Sequence, residues 1–167
     1  MNKWLFVLIL FMSGISSSAM AQTSNIYYGL GINDANLEVP GNSSQSMAAL
    51  GVSIGTQLTD RIGLELALGT GSDDPSSLFS EPPIQYQAGL VRFSHAWSNK
   101  EVYLLLGHAR LDIASGLNPI RGGNAWGLGL NLFGSKHTAI NAQILSFGAG
   151  AVTSAGIGIQ YFIGGLR

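Results

Sequence analysis

The sequence has no cysteine and little charge. Its 167 residues include 8 Lys and Arg, 9 Asp and Glu and 3 His, so only 10% are charged, whereas about a quarter is usual for a soluble domain. The absence of cysteine excludes disulfides and thiolate metal sites. Since the sequence also lacks a basic patch, it gives no case for a nucleic-acid partner. A water-soluble fold of this size would need a more polar surface than this composition supplies.

Long apolar runs are missing after the N-terminus. The one unbroken apolar segment, Trp4–Met12, follows Lys3 and precedes Ala19-Met20-Ala21. A basic residue, a short apolar core and a small-x-small site are typical of a cleavable secretion signal. The alternative, a membrane helix, would need roughly 20 apolar residues. We therefore predict a signal peptide at residues 1–21 and a single domain at residues 22–167.

The rest of the chain alternates apolar residues with small or polar ones. In Ile62–Leu68 (IGLELAL), every second residue is Ile or Leu, and Leu50–Leu58 (LGVSIGTQL) follows the same pattern. A period of two is the strand period, because successive side chains leave opposite faces of the backbone. The pattern predicts eight strands, near Ile26–Ile32, Leu50–Leu58, Ile62–Leu68, Ile84–Ala96, Val102–Ile113, Asn124–Phe133, Thr138–Phe147 and Ala155–Ile163.

The connections between these segments alternate in length. Three are tight, around Asp60, Asn99 and Lys136, and four are longer, at residues 33–46, 70–83, 114–123 and 148–154. Alternating short and long connections are typical of an up-and-down barrel with one rim in the periplasm. Closure is required in lipid, because each unpaired backbone group there costs several kcal/mol.

We therefore predict an all-β fold: an eight-stranded antiparallel up-and-down transmembrane β-barrel in the cell outer membrane, with both termini periplasmic. The outer rim would be acidic, carrying Asp34, Glu38, Asp73, Asp74 and Glu81. Aromatic side chains favour the membrane interfaces. The candidates are Tyr28, Tyr86, Trp97, Tyr103, Trp126 and Tyr161. The alternative for some of them is an inward position, and the inward or outward parity of the fourth strand stays open.

The whole mature chain resembles the small eight-stranded outer-membrane barrels of Gram-negative bacteria, typified by outer-membrane protein X and the transmembrane domain of outer-membrane protein A. Its best local pieces are the hairpin Ile54–Gly69 and the closing strand. The resemblance implies an assembly signal in that last strand, with Ser154, Gly156, Ile159 and Tyr161 at the matching positions. Family members usually end on the aromatic residue, whereas this chain continues for residues 162–167.

The resemblance also implies partners. They would be outer-membrane lipid and lipopolysaccharide around the barrel, and the barrel-assembly machinery and periplasmic chaperones during biogenesis. We expect the folded protein to be a monomer.

Several polar residues are predicted to face the barrel interior. Eight strands enclose a space just wide enough for side chains, and a buried charge is costly unless paired. We therefore expect an interior polar cluster of Glu65, Arg92, His108 and Arg110, in which Glu65 pairs with one of the arginines. Asn131, Asn141, Gln143 and Gln160 would also point inward. The alternative to such a plug is a narrow water path, with small cavities beside the inward glycines.

Catalysis is not expected. Barrel lipid A deacylases use a His and a Ser two residues apart, and none of His95, His108 and His137 has Ser at that spacing. Lipid A palmitoyltransferases carry a helix before the first strand, and no room for one exists between Ala21 and Ile26. Three histidines without paired spacing do not predict a metal site.

We predict no cofactor, no metal and a structural or surface-interaction role in the envelope. The first alternative is a narrow channel for small solutes. A lipid A-modifying barrel enzyme is the second.

Overall fold

The computed structural model describes residues 26–37, 45–72, 84–113, 122–148 and 152–164, and these residues form a closed barrel. Each strand pairs antiparallel with the next, and the last pairs with the first. The strands are β1 (Ile26–Leu37), β2 (Gln45–Gln57), β3 (Ile62–Ser72), β4 (Ile84–Trp97), β5 (Lys100–Ile113), β6 (Gly123–Phe133), β7 (Thr138–Phe147) and β8 (Val152–Ile163). Within the described ranges, no helix is long and apolar enough to cross a membrane.

The predicted strands and their antiparallel order are confirmed, but several strands are longer than predicted. β1 and β2 pair as far as Leu37 with Gln45, so Asp34 lies in a strand and not in a loop. There its Oδ1 accepts a 2.6 Å hydrogen bond from the Ser46 hydroxyl on the paired strand. The predicted signal peptide at residues 1–21 and the acidic loop residues Glu38, Asp73, Asp74 and Glu81 lie outside the described residues.

The barrel has two chemically different faces. Along β3, Gly63, Glu65 and Ala67 are buried while the Ile and Leu residues between them are exposed. The same outward apolar character runs around the barrel, for example at Leu30, Leu128 and Ile159. An apolar exterior band with a hydrogen-bonded sheet and no free edge is what a hydrocarbon environment requires.

Side-chain hydroxyl groups order two of the tight turns. Thr59 Oγ1 accepts a hydrogen bond from the backbone N–H of Ile62 at 3.0 Å, and Ser135 Oγ accepts one from Thr138 at 3.1 Å. Such bonds stabilise a turn without help from tertiary packing. The β4–β5 turn is different, because only two residues separate the strands and Ser98 has a φ of 53°.

Three buried tyrosines fill the space above glycines on adjacent strands. The register pairs are Tyr27 with Gly55, Tyr86 with Gly69 and Tyr103 with Gly129. A Cβ atom at any of these glycines would collide with the ring of its tyrosine. The interior therefore accommodates these tyrosine rings because the adjacent strand has no side chain at the paired position.

Tyr86 and Tyr103 correct the prediction of interface aromatics, since both are buried inside the barrel. On β4, Ile84, Tyr86 and Ala88 are all buried while the residues between them are exposed. Strand alternation therefore places Tyr86 inward, which settles the parity of this strand. The other four predicted aromatics, Tyr28, Trp97, Trp126 and Tyr161, are exposed on the outer surface.

Candidate functional site

Arg92 on β4 lies at the centre of the most highly charged part of the interior. Its side chain is fully buried, and its Nη1 atom lies 3.2 Å from Oε2 of Glu65 on β3. Its Nη2 atom lies 2.9 Å from Oε2 of Glu101 on β5. Both carboxylates are also buried. Because a buried charge is strongly unfavourable without a partner, the arginine depends on these two carboxylates, which share one guanidinium.

Two tyrosine rings fix the orientation of this guanidinium. Its carbon atom lies 3.6 Å from the ring centroid of Tyr103 and 4.8 Å from that of Tyr27. Tyr27 also donates a 2.5 Å hydrogen bond from its hydroxyl to Glu65 Oε2. A planar guanidinium stacks well on an aromatic face, so Arg92 is held by both charge and stacking.

A chain of amides continues from the second carboxylate. Asn131 Nδ2 lies 2.8 Å from Glu101 Oε2 and 2.8 Å from Gln160 Oε1, and donates to both. Asn141 Nδ2 donates to Asn131 Oδ1 at 2.7 Å and to the Tyr103 hydroxyl at 2.6 Å. These bonds join the charged groups to the opposite wall of the barrel.

Two glutamines complete the arrangement. Gln57 Nε2 donates to Glu101 Oε1 at 3.3 Å, and the Tyr103 hydroxyl donates to Gln143 Oε1 at 3.1 Å. We call the connected set the interior polar network; it consists of Tyr27, Gln57, Glu65, Arg92, Glu101, Tyr103, Asn131, Asn141, Gln143 and Gln160. Every one of the eight strands contributes at least one member. The network therefore cross-links the barrel wall from inside.

Apolar side chains fill the interior on both sides of this network. Towards the tight-turn end, Phe162 packs between Tyr27 and Phe133, with ring centroids 5.3 Å away in each case. Towards the long connections, Tyr86 packs on Phe147 at 4.9 Å within a larger buried cluster. Beside the inward glycines of β1 and β2 lies a cavity of about 20 Å³, enough for about one water molecule.

The predicted interior cluster is half present. The structure brings Glu65 and Arg92 together inside the barrel, but His108 and Arg110 are exposed on the outer face of β5. The prediction of these two residues as interior groups was wrong. Because Ala109 and Leu111 are buried, strand alternation places positions 108 and 110 outside.

Glu101 is an interior charged residue that the sequence does not indicate. The predicted fifth strand begins at Val102, whereas β5 begins at Lys100 and therefore includes Glu101. Its parity with the buried residues Tyr103 and Leu105 would have identified it. The segment Val102–Leu106 (VYLLL) is apolar at every position, however, so the sequence itself does not show which side faces inward.

The four residues of the predicted assembly signal lie along β8. Ser154 is buried, Gly156 is half-buried, and Ile159 and Tyr161 are exposed on the outer surface. β8 is also bound by the β6–β7 turn, because His137 Nδ1 donates a 2.9 Å hydrogen bond to the carbonyl of Phe162. In the described part of the chain, no group of three or more His, Cys, Asp and Glu side chains could hold a metal ion.

The sequence matches the family model of the outer membrane protein beta-barrel domain over residues 7–164. The chain belongs to this family. Membership places it in the outer membrane of a Gram-negative envelope, in agreement with the apolar outer face of the barrel. No protein with a curated description matches the sequence significantly.

Solved structures share the fold of this family member at low sequence identity. A de novo designed transmembrane β-barrel is 11% identical, covers 85% of this chain and 98% of its own, and has a TM-score of 0.61. Ail, the attachment invasion locus protein of Yersinia pestis, is 13% identical over 85% of this chain and 100% of Ail (TM-score 0.57). OprG of Pseudomonas aeruginosa is 15% identical over 84% and 96%, respectively (TM-score 0.56). At these identities the similarity shows the fold alone.

Proposed function

We propose that this outer-membrane barrel has a structural or surface-interaction role and that its interior is closed. The observation that supports this proposal is that the fully buried Arg92 forms ion pairs with both Glu65 and Glu101. A water path through the barrel would have to separate these charges or pass the rings of Tyr27 and Tyr103. The interior polar network includes residues of all eight strands, so it is better suited to stabilising a scaffold than to conducting solutes.

The proposal includes an orientation and an export route. Residues 1–21 act as a cleaved signal peptide, and both termini and the three tight turns face the periplasm, because short periplasmic turns and long outer loops are the rule in such barrels. The protein is a monomer. The barrel-assembly machinery, aided by periplasmic chaperones, recognises Ser154, Gly156, Ile159 and Tyr161 of β8, where the outward Ile159 and Tyr161 are accessible to another protein before insertion.

Under this proposal, the long connections lie at the cell surface. One structural neighbour, Ail, is an attachment invasion locus protein. The barrel of this protein would then hold the loops at its rim, and the interior polar network would stabilise the barrel that carries them. Catalysis is not part of this proposal.

The decisive experiment measures conductance in planar lipid bilayers. We expect the purified wild-type barrel to produce no steady ion current. A matched variant in which Glu65, Arg92 and Glu101 are all replaced by Ala removes the central groups and should conduct if it folds, which the different gel mobility of boiled and unboiled samples reports. A steady current from the wild-type protein would instead support the alternative, a narrow channel.

Two further measurements test the remaining parts of the proposal. Lipid A mass spectra from cells with and without the protein should be identical, whereas a mass difference would favour a lipid A-modifying enzyme. An Asn99→Cys variant, with its cysteine in the β4–β5 turn, should resist a membrane-impermeant thiol reagent in intact cells and react after the outer membrane is opened. Labelling in intact cells would contradict the proposed orientation.

A further inference from the structure

A polar patch interrupts the apolar outer face of the barrel. On β5, Lys100 beside the tight turn is followed on the outward side by Val102, Leu104 and Leu106, and then by His108, Arg110 and Asp112. A cation on the lipid face is costly at the bilayer midplane but costs little near the interfaces. Arg110 therefore marks the level at which β5 leaves the hydrocarbon, close to the long connections.

Polar side chains on both adjacent strands lie beside His108 and Arg110. Gln87 of β4 pairs in register with Arg110, and Asn124 of β6 pairs with His108; both partners are exposed. Directly paired residues have Cβ atoms about 5 Å apart, and His108 and Arg110 lie about 7 Å apart along the strand. We call these four residues the outer polar patch.

The His108 side chain lies beside a glycine that directly precedes β6. Gly122 has a φ of 81°, and a Cβ atom there would lie 3.0 Å from His108 Nε2. The missing side chain leaves room for the imidazole to lie over this backbone, on the loop side of the patch. The imidazole of His108 thus points towards the end of the barrel that carries the long connections.

In the described part of the chain Arg110 forms no ion pair, and the next residue on its strand face is Asp112, about 7 Å along β5 on the side of the long connection. The ion pairs found there both involve Arg92, and the other described Lys and Arg residues lie in or beside the tight turns at Arg61, Lys100 and Lys136. A guanidinium binds carboxylate or phosphate through paired, charge-assisted hydrogen bonds. At the lipid surface of a barrel, the anion that a bound lipid supplies is its phosphate.

The apolar side chains beside the patch suit a lipid. Leu68 pairs with Gln87 in register, and Leu106 pairs with Trp126. Leu68 and Trp126 are 44% and 46% exposed, respectively, so they offer acyl chains a surface directly next to the polar groups. A tryptophan at this level is typical of the membrane interface.

We propose that the outer polar patch binds the phosphate group of an anionic lipid, whose acyl chains pack on Leu68, Leu106 and Trp126. Arg110 supplies the charge and two N–H donors, and the amides of Gln87 and Asn124 donate further hydrogen bonds. With the orientation proposed above, the bound lipid lies in the outer leaflet, so the occupant is the phosphorylated lipid A part of lipopolysaccharide.

Native mass spectrometry of the full barrel in detergent micelles tests this assignment. The probes are bisphosphorylated lipid A and its dephosphorylated counterpart, titrated separately. We expect the phosphorylated lipid to bind wild-type protein, and Arg110→Gln to weaken that binding at least about tenfold, since one charge-assisted contact is lost. The matched control, Arg61→Gln, removes the same charge at the β2–β3 turn and should leave binding unchanged.

Three results would overturn the proposal: equal affinity for the two lipids, equal affinity of Arg110→Gln and wild-type protein, or equal losses in Arg110→Gln and Arg61→Gln. Displacement by millimolar inorganic phosphate would also overturn it, because the patch would then bind a free anion. Heat-dependent gel mobility verifies that each variant is folded. Since binding in micelles does not depend on orientation, a failed thiol-labelling test would contradict the assignment to the outer leaflet and to lipid A, but not the phosphate binding that is measured here.

Discussion

The ring of Tyr103 stacks on the guanidinium of Arg92, and its hydroxyl group connects to the amides of the opposite wall. The ring centroid lies 3.6 Å from the guanidinium carbon, while the hydroxyl accepts a hydrogen bond from Asn141 and donates one to Gln143. One side chain thus joins the charged and the amide parts of the interior. Gly129, directly across on β6, is the residue that gives the ring its place.

Removing the central cation should destabilise the barrel strongly. In Arg92→Met, Glu65 and Glu101 stay buried without their shared counter-ion. We expect a loss of about 3–5 kcal/mol in the free energy of unfolding, as for other buried pairs that lose one partner. Urea titration of protein refolded into lipid vesicles measures this change.

The triple variant Glu65→Gln, Arg92→Met and Glu101→Gln is the control for that prediction. It removes all three charges at similar side-chain volume, so we expect it to recover a large part of the lost stability. If Arg92→Met alone were as stable as the wild-type barrel, the central ion pairs would not stabilise the fold.

The glycine opposite Tyr103 should not tolerate a methyl group. In Gly129→Ala, the new Cβ atom would overlap the tyrosine ring, and overpacking of this kind costs about 1–3 kcal/mol. Gly134→Ala is a matched control, because a Cβ atom at Gly134 meets nothing within 4 Å. Urea unfolding should show a clear loss for the first variant and little change for the second.

A second substitution tests whether the ring is the cause. Combining Gly129→Ala with Tyr103→Leu removes the clash, so the two losses should not add. Additive losses would place the strain of Gly129→Ala in the strand backbone and contradict the role of the tyrosine.

The contact between His137 and β8 should contribute to stability near the closing seam of the barrel. His137→Phe retains a ring that can stack on Tyr161 but lacks the Nδ1–H group that donates to the Phe162 carbonyl. We expect a loss of about 1 kcal/mol, measured by urea unfolding. His137→Asn offers a side-chain N–H group again, and if it unfolds no later than His137→Phe, the hydrogen bond does not contribute.

The fold could be predicted from the sequence because membrane burial forces a simple rule on each strand. Wherever one face is apolar and the other is not, as at Ile62–Leu68, the period of two determines both the strand and its inward face. This rule placed Glu65 correctly. It also indicated the strand count and the positions of the tight turns.

The interior site could be predicted only in part, because parity is lost where both faces of a strand are apolar. In Val102–Leu106, Tyr103 and Leu105 fill the interior while the intervening residues face lipid, and the letters of the sequence do not distinguish the two sets. Because of the same ambiguity, His108 and Arg110 were wrongly predicted to face the interior, and Glu101 was left out of the predicted interior cluster. The packing partner decides the parity: Tyr103 must face the interior, because Gly129 leaves space for it there.

The two carboxylates that share Arg92 should respond differently to neutralisation. Glu101 accepts hydrogen bonds at both oxygens, from Gln57 at Oε1 and from Arg92 and Asn131 at Oε2. In the described part of the chain, Glu65 accepts only at Oε2, and its Oε1 has no partner. The amide nitrogen of Glu65→Gln can therefore occupy the Oε1 position without facing a donor, while Arg92 keeps one carboxylate. We expect Glu65→Gln to lower the free energy of unfolding by less than about 1 kcal/mol. Glu101→Gln should lower it by about 2–3 kcal/mol, because a charged hydrogen bond is lost and the new amide N–H group faces the N–H donors that the carboxylate accepted from. Urea unfolding of the two variants in the same vesicles compares them directly, and equal stabilities would mean that the two carboxylates hold Arg92 equivalently.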